Sequence, residues 1–218
     1  MTTTAALQTT KIDFTMMYAT HDAFRRDLDR LEAASAAGPT ADDRVREGWE
    51  NFKTQLLIHH SVEDSYLWPR LRGAVPDRPL DLVLLEEMKA EHAVLDPLLA
   101  AVDEALAGGR PGDLTGYVRE LSAGLGEHLK HEEESALPLI QDVLTPADWR
   151  GFAGQMRRRQ GVKGAEVYIP WVLDGMPPAK QRRFLSALPA PARLINRLLW
   201  EPRYRKRNLW SAHEITYP

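Results

Sequence analysis

EHLKHEEESALPLI, residues 127–140, continues a helical pattern that begins near residue 113 and places polar side chains on its apolar face. At about 100° per residue, the apolar stripe of this helix runs through Val118, Leu121, Leu125 and Leu139. His128 and Glu132 fall inside the same stripe, one turn apart. A buried carboxylate is costly unless a positive group neutralises it. The stretch therefore predicts a chemical role for these two side chains.

The same spacing occurs earlier in the chain, in HHSVEDSYLWPRL at residues 59–71. A histidine, a glutamate and a proline stand at relative positions 0, 4 and 10 in both segments. The matched residues are His59, Glu63 and Pro69 in the first copy and His128, Glu132 and Pro138 in the second. The helices that precede these segments also match, with an offset of 71 residues that aligns His21 with His92. The chain therefore repeats one helical hairpin, which predicts two hairpins that face each other.

Helical periodicity covers four long segments, near residues 13–37, 40–69, 79–108 and 113–138. Thr40 is expected to cap the second of these helices, and Thr145-Pro146 predicts a shorter fifth helix. No segment of the sequence shows the alternation of a strand. The predicted fold class is all-α, an antiparallel up-down four-helix bundle over residues 1–150.

Residues 151–218 form a different kind of segment, rich in proline and arginine. Residues 1–149 carry 14 Lys or Arg against 27 Asp or Glu, whereas residues 150–218 carry 14 against 4. Opposite charge favours docking of this basic, proline-rich C-terminal extension on the bundle over binding to nucleic acid or a membrane surface. Short helices are expected near residues 179–188 and 192–199. The expected apolar anchors are Trp171, Leu198, Leu199 and Trp200.

The absence of cysteine excludes disulfides, thiolate metal ligands and cysteine nucleophiles. The N-terminal segment lacks the apolar core of a signal peptide, and no run of about 18 apolar residues occurs. A cytoplasmic protein without a transmembrane segment is therefore expected.

Six inward-facing side chains form the predicted metal site: His21, His59, Glu63, His92, His128 and Glu132. Each of the four helices supplies one histidine, and no Lys or Arg shares the inner stripes near them. A bound metal is the natural counter-charge for two buried glutamates. Imidazole and carboxylate ligands without sulfur suit iron, manganese or zinc. Two matching sets, each of two histidines and one glutamate, favour a metal pair with the glutamates free to bridge.

The pattern His21, His59-x-x-x-Glu63, His92 and His128-x-x-x-Glu132 resembles the signature of hemerythrin-like domains, also called HHE cation-binding domains. The resemblance covers about residues 12–142. It implies a four-helix bundle in which these six residues hold two non-heme iron ions joined by an oxo or hydroxo bridge. It also implies binding or reduction of a small oxidant such as dioxygen, peroxide or nitric oxide. Oxygen-carrying members use five histidines and two carboxylates, whereas four histidines match here.

Two other functions remain open from the sequence. The first is a non-catalytic iron-binding, redox-sensing or oxygen-sensing module that acts through the C-terminal extension. The second is a structural bundle held together by zinc. Whether the protein is an enzyme, such as one that reduces peroxide or nitric oxide, is open as well.

Several neighbours of the six residues are also of interest. His60 lies roughly 50° from the centre of its stripe and is able to reach the site as a seventh ligand or as a partner of one. Tyr18 and Tyr66 flank ligand positions and are expected to be ordinary core tyrosines; the alternative is a phenol that serves the metal pair as a ligand or a hydrogen-bond donor. The residues expected on the surface are His131, Glu133 and Glu134.

Overall fold

The computed structural model describes residues 11–37, 42–108 and 111–211, and within these ranges it contains helices but no strand. The all-α prediction is confirmed. The long helices are α1 (Thr15–Ala36), α2 (Asp43–Val62), α4 (Pro79–Leu106), α5 (Pro111–His131) and α7 (Pro146–Leu173). The short ones are α3 (Trp68–Ala74), α6 (Leu137–Val143), α8 (Pro178–Ser186), α9 (Ala190–Ile195) and α10 (Glu201–Arg207).

The four helices α1, α2, α4 and α5 pack around the core, with contacts between α1 and α2, α2 and α4, α4 and α5, and α5 and α1. Trp49, near the start of α2, donates its indole N–H to Asp103, near the end of α4. Thr115, early in α5, donates to the carbonyl of Ser35 at the end of α1. Contacts between the start of one helix and the end of its neighbour show that these pairs run antiparallel.

Three π-helical turns interrupt the α-helices, and a proline follows each one at the same distance. The turns are Glu63–Leu67, Glu132–Ala136 and Asn196–Trp200, and the prolines are Pro69, Pro138 and Pro202. Proline lacks the N–H for an α-helical bond, and its ring clashes with the carbonyl four residues back. The wider π turn relieves that conflict and lets the chain remain helical. Two of the turns begin at the glutamates of the sequence repeat.

The ends of two helices differ from the expectations. Thr40 lies outside the described residues, and Asp42 caps α2 by accepting a 2.8 Å bond from the N–H of Arg44. Thr145 caps α7 in a capping box with Asp148, as predicted. Helix α7 spans 28 residues in total, and the predicted shorter fifth helix corresponds to its first part, which starts at Pro146. Its helical path breaks at Gly161, whose φ of 65° suits glycine, and the chain then continues as helix.

Part of the C-terminal region lies in the same hydrophobic core as the four long helices. Trp171 is fully buried, and its indole N–H donates a 2.7 Å bond to the buried carboxylate of Asp27 in α1. Arg30 of α1 bonds Asp174 at 2.7 Å. The division of the chain at residue 150 remains a prediction, since α7 crosses that position.

The prediction that Leu198 and Leu199 anchor the extension is wrong, since their side chains remain 60% and 48% exposed. Asn196 and Tyr204 are buried instead, and Trp200 packs partly against the core. These three residues are spaced by four, so the face that they share leaves the two leucines on the outside. Within the described part of the chain, no helix is both long enough and apolar enough to cross a bilayer.

Candidate metal centre

Seven polar side chains meet in the interior between the four long helices, each at most 7% exposed. They are His21, His59, His60, Glu63, His92, His128 and Glu132. The structure thus brings together all six residues predicted from the sequence and adds His60, whose role the sequence left open. Helix α2 supplies two consecutive histidines, and α1, α4 and α5 supply one each.

The first cluster consists of His21, His59 and Glu132, whose ligand atoms all lie within 4.8 Å of one another. His21 Nε2 is 3.3 Å from His59 Nε2 and 3.2 Å from Glu132 Oε2. The ring of His59 also packs edge-on against the ring of Phe24, a fully buried residue of the apolar core. The cluster offers two imidazole nitrogens and one carboxylate to a cation.

The second cluster consists of His60, His92 and His128, again with ligand atoms within 4.8 Å of one another. His92 Nε2 and His128 Nε2 are 3.1 Å apart. The ring of His60 stacks on that of His92, with 3.8 Å between centroids. Burial lowers the pKa of His60 well below its usual value, so the side chain is neutral. A neutral imidazole is the form that binds a metal.

Glu63 lies between the two clusters. Its Oε1 is 3.1 Å from His59 Nε2 in the first cluster, and its Oε2 is 3.6 Å from His92 Nε2 in the second. One carboxylate therefore presents a separate oxygen to each cluster. This is the placement that a bridging carboxylate requires.

Carboxylates outside the clusters orient three of the histidines. Glu133 accepts from His21 Nδ1 at 2.8 Å, Asp64 lies 3.0 Å from His92 Nδ1, and Glu91 lies 2.8 Å from His128 Nδ1. We assign the Nδ1 proton to these contacts, because an ionised carboxylate can only accept. Such partners fix the ring and raise the basicity of the opposite nitrogen, Nε2, which faces the clusters.

Two of these outer carboxylates obey the sequence repeat. Asp64 follows Glu63 and Glu133 follows Glu132, so the pairs share the offset of 69 residues. Each acid reaches a histidine of the other hairpin. The expectation that Glu133 lies on the surface is wrong, because its side chain is only 21% exposed and contacts both His21 and Arg25.

The electrostatics of the two glutamates differ. Burial alone would lower the pKa of His21, but Glu132 and Glu133 outweigh it and raise that pKa to about 9. Burial likewise works against ionisation of Glu132, yet His21 lowers its pKa to about 2. Glu63 has no such partner, so burial and the Glu132 charge raise its pKa well above the usual value. Burial lowers the pKa of His59 to about 3.

The unpaired atoms of the site fit a bound cation. Five buried atoms have no hydrogen-bond geometry with any described residue. They are both carboxylate oxygens of Glu63, both carboxylate oxygens of Glu132, and Nε2 of His60. Buried polar atoms are almost always paired in folded proteins. Five such atoms in one interior region, with histidine nitrogens 3.1–3.3 Å apart, match a donor set that converges on metal ions.

Comparison with known proteins agrees with this geometry. Residues 13–140 match the family described as Hemerythrin HHE cation binding domain. The chain belongs to the hemerythrin HHE cation-binding family. The match spans all four hemerythrin-like helices and all seven buried donors. Membership supports the binding of a metal cation by the His and Glu clusters.

Relatives of this hemerythrin-like chain occur in mycobacteria. It is 23% identical over 167 residues to Uncharacterized protein Rv1995 of Mycobacterium tuberculosis and to Uncharacterized protein Mb2018 of Mycobacterium bovis. Each alignment covers 69% of this chain and 61% of the relative, so the chain spans about three fifths of the length of these proteins. No solved structure gives a significant match.

The residues next to the ligand positions differ in burial. Tyr66 is partly buried in a second apolar cluster, as expected of a core tyrosine, whereas Tyr18 is 44% exposed and the core prediction for it is wrong. His131 is half-buried and bonds Glu91 at 2.8 Å. Sequence reasoning missed the orienting roles of Asp64, Glu91 and Glu133. The signal for two of them was an acid directly after each repeated glutamate.

Proposed function

We propose that the chain is a non-heme di-iron protein that binds or reduces a small oxidant: dioxygen, peroxide or nitric oxide. The observation that carries the proposal is the pair of adjacent three-donor clusters with one carboxylate, Glu63, between them. His21, His59 and Glu132 would hold one ion, and His60, His92 and His128 the other. When bound, iron supplies redox chemistry toward small oxidants. An oxo or hydroxo group bridging the two ions belongs to the proposal.

The protein's contribution is the preparation of this donor set. Glu133, Asp64 and Glu91 hold protons on the outer nitrogens of three histidines, so that the inner nitrogens are the ones directed at the clusters. Burial excludes water from the clusters, and the four long helices fix each side chain before any ion arrives. A rigid site of this kind loses little conformational entropy on binding.

His60 increases the number of available donors. With it, the site contains five histidines and two glutamates, the same numbers as in oxygen-carrying members of the family. Here the fifth histidine stands beside His59 on α2. The proposal therefore includes reversible binding of a small oxidant as well as its reduction, and activity measurements separate the two.

The test compares iron-loaded wild type with a matched pair of variants. Glu63→Ala removes the carboxylate between the clusters, and Glu134→Ala removes an exposed acid on the second π turn. We expect near-ultraviolet charge-transfer absorption from the wild type and Glu134→Ala, together with uptake or turnover of dioxygen, peroxide or nitric oxide. Glu63→Ala should lose both. A wild-type protein that prefers zinc and shows neither property would instead support the structural bundle.

A second candidate, a redox or oxygen sensor that acts through the C-terminal extension, has one specific observation in its favour. Helix α1 carries His21 and also Asp27 and Arg30, which contact Trp171 and Asp174. A change at the metal centre would thus reach residues 151–218 through a single helix. Hydrogen exchange of the indole and backbone N–H groups around Trp171, compared between oxidised and reduced iron, tests this. Identical exchange in both states would count against sensing.

A further inference from the structure

The segment from α9 to α10 carries a row of exposed aliphatic side chains that the metal centre does not use. Their exposed fractions are 57% for Leu194, 39% for Ile195, 60% for Leu198 and 48% for Leu199. We call these four residues the apolar ridge. The first two lie at the end of helix α9 and the other two in the π turn that follows it. The second pair stands four residues after the first.

The opposite face of the same segment is fixed to the protein. Asn196 and Tyr204 are 2% and 7% exposed, and Trp200 packs against the main hydrophobic core. The π turn between Asn196 and Trp200 adds a residue and keeps these positions on one side. Because this inner face is occupied, the segment cannot bury the apolar ridge by rotating.

Positive charge surrounds the ridge. Residues 190–207 contain six Arg or Lys and a single acid, Glu201. Glu201 is paired with Arg205, and Arg207 lies 3.6 Å from Glu47. Arg193 and Arg197 are exposed directly beside the ridge, and no described carboxylate is within salt-bridge distance of either. The surface thus combines an aliphatic row with two exposed guanidinium groups.

We propose that this face binds the surface of a membrane rich in anionic lipids. The aliphatic side chains would enter the boundary between headgroups and acyl chains, and Arg193 and Arg197 would pair with lipid phosphates. A stable protein partner needs roughly 20–30 residues on each side. The four aliphatic residues of the ridge and the two arginines beside it fall far short of that number. A bilayer requires no matching groove, so charge and exposed apolar area suffice. The proposal is independent of the metal centre.

The experiment uses the full-length, metal-loaded chain and co-flotation with vesicles. One set of vesicles is phosphatidylcholine alone, and the other is an equal mixture of phosphatidylcholine and phosphatidylglycerol. Leu194→Ser/Leu198→Ser removes the two most exposed side chains of the ridge without touching the core. The matched control is Leu80→Ser/Val83→Ser, which removes two exposed aliphatics (83% and 53%) from α4, where the neighbouring charges Arg78 and Asp81 pair with each other.

We expect wild type to float with the phosphatidylglycerol vesicles and not with phosphatidylcholine alone. The affinity of Leu194→Ser/Leu198→Ser for the vesicles should fall by about tenfold or more, because the apolar contribution is lost. Arg193→Gln/Arg197→Gln should weaken binding about 25-fold, since each cation near an anionic surface contributes about fivefold. The Leu80→Ser/Val83→Ser control should bind like wild type.

Four results would overturn the proposal. The first is absence of wild-type binding to the anionic vesicles at low salt. The second is equal binding by the Leu194→Ser/Leu198→Ser variant and the control. The third is a wild type that does not float and is a dimer in analytical ultracentrifugation, while the ridge variant is a monomer. That result would identify a second copy of the chain as the occupant. Flotation that short duplex DNA abolishes, with DNA bound more tightly than vesicles, would likewise assign the face to nucleic acid.

Discussion

Replacement of Glu63 by glutamine should affect the metal-free and metal-loaded proteins in opposite directions. Both oxygens of Glu63 are buried and have no hydrogen bond to a described residue. Glutamine has the same shape but no charge to desolvate. Its NH2 group is able to donate to the lone pair of His59 Nε2, which lies 3.1 Å from Oε1 of the glutamate. The metal-free variant should therefore be more stable than metal-free wild type.

The size of the gain follows from the cost of a buried group without partners, about 1–2 kcal/mol. For a domain of this length, that corresponds to a rise in Tm of roughly 2–8 °C. The gain depends on pH because burial raises the pKa of Glu63 in the folded protein. A carboxyl of this kind destabilises the fold as pH rises above its unfolded pKa of about 4.3. The advantage of glutamine should vanish near pH 4 and should grow as the pH rises above that value.

The assay is thermal unfolding with chelator and with added iron, and Glu134→Gln serves as the exposed control. Added iron should raise the Tm of wild type and of Glu134→Gln strongly, but that of Glu63→Gln much less, because a neutral amide is the weaker ligand. A metal-free Glu63→Gln protein that is less stable than metal-free wild type would refute the reasoning. So would an equal effect of iron on all three proteins.

Three further outcomes are expected. Metal affinity, measured by chelator competition, should rise by up to about tenfold per pH unit toward pH 9. The reason is that metal binding must displace the proton held by His21. A flat affinity profile between pH 6 and 9 would contradict this. Glu133→Gln should weaken metal binding about tenfold or more while Glu134→Gln does not, since only Glu133 orients His21; equal affinities would remove that role. Trp171→Phe should lower the free energy of unfolding by about 1–3 kcal/mol in denaturant titration, because Asp27 loses its 2.7 Å partner; an unchanged midpoint would show that this bond contributes little.

The helices and the inward direction of the ligands were predictable from the sequence because both depend on periodicity. Polar residues repeated at offsets of 69 and 71 had to share a face with Leu121 and Leu125, and the structure buries them there. Cross-helix contacts leave no such trace. Which histidine Glu91 reaches depends on the packing of α4 against α5, so periodicity within one helix could not predict it.

The π turns and the C-terminal face show a second limit. Pro69 and Pro138 follow π turns, yet Pro97 and Pro170 lie inside helices that continue without one. Proline therefore permits the wider turn, and the surrounding packing decides whether it forms. Leu198 was expected in the core on hydrophobicity alone, but the register of the π turn that contains it places it outside.

The number of iron ions per chain tests the central claim most directly. His59 and His60 are consecutive in sequence but belong to different clusters, so they form a matched pair of targets. Elemental analysis of iron-loaded protein should find two ions per chain in the wild type. His59→Ala and His60→Ala should each fall well below two, with folding verified by circular dichroism. Full occupancy in both variants, or a single ion in the wild type, would contradict a paired metal centre built from the two clusters.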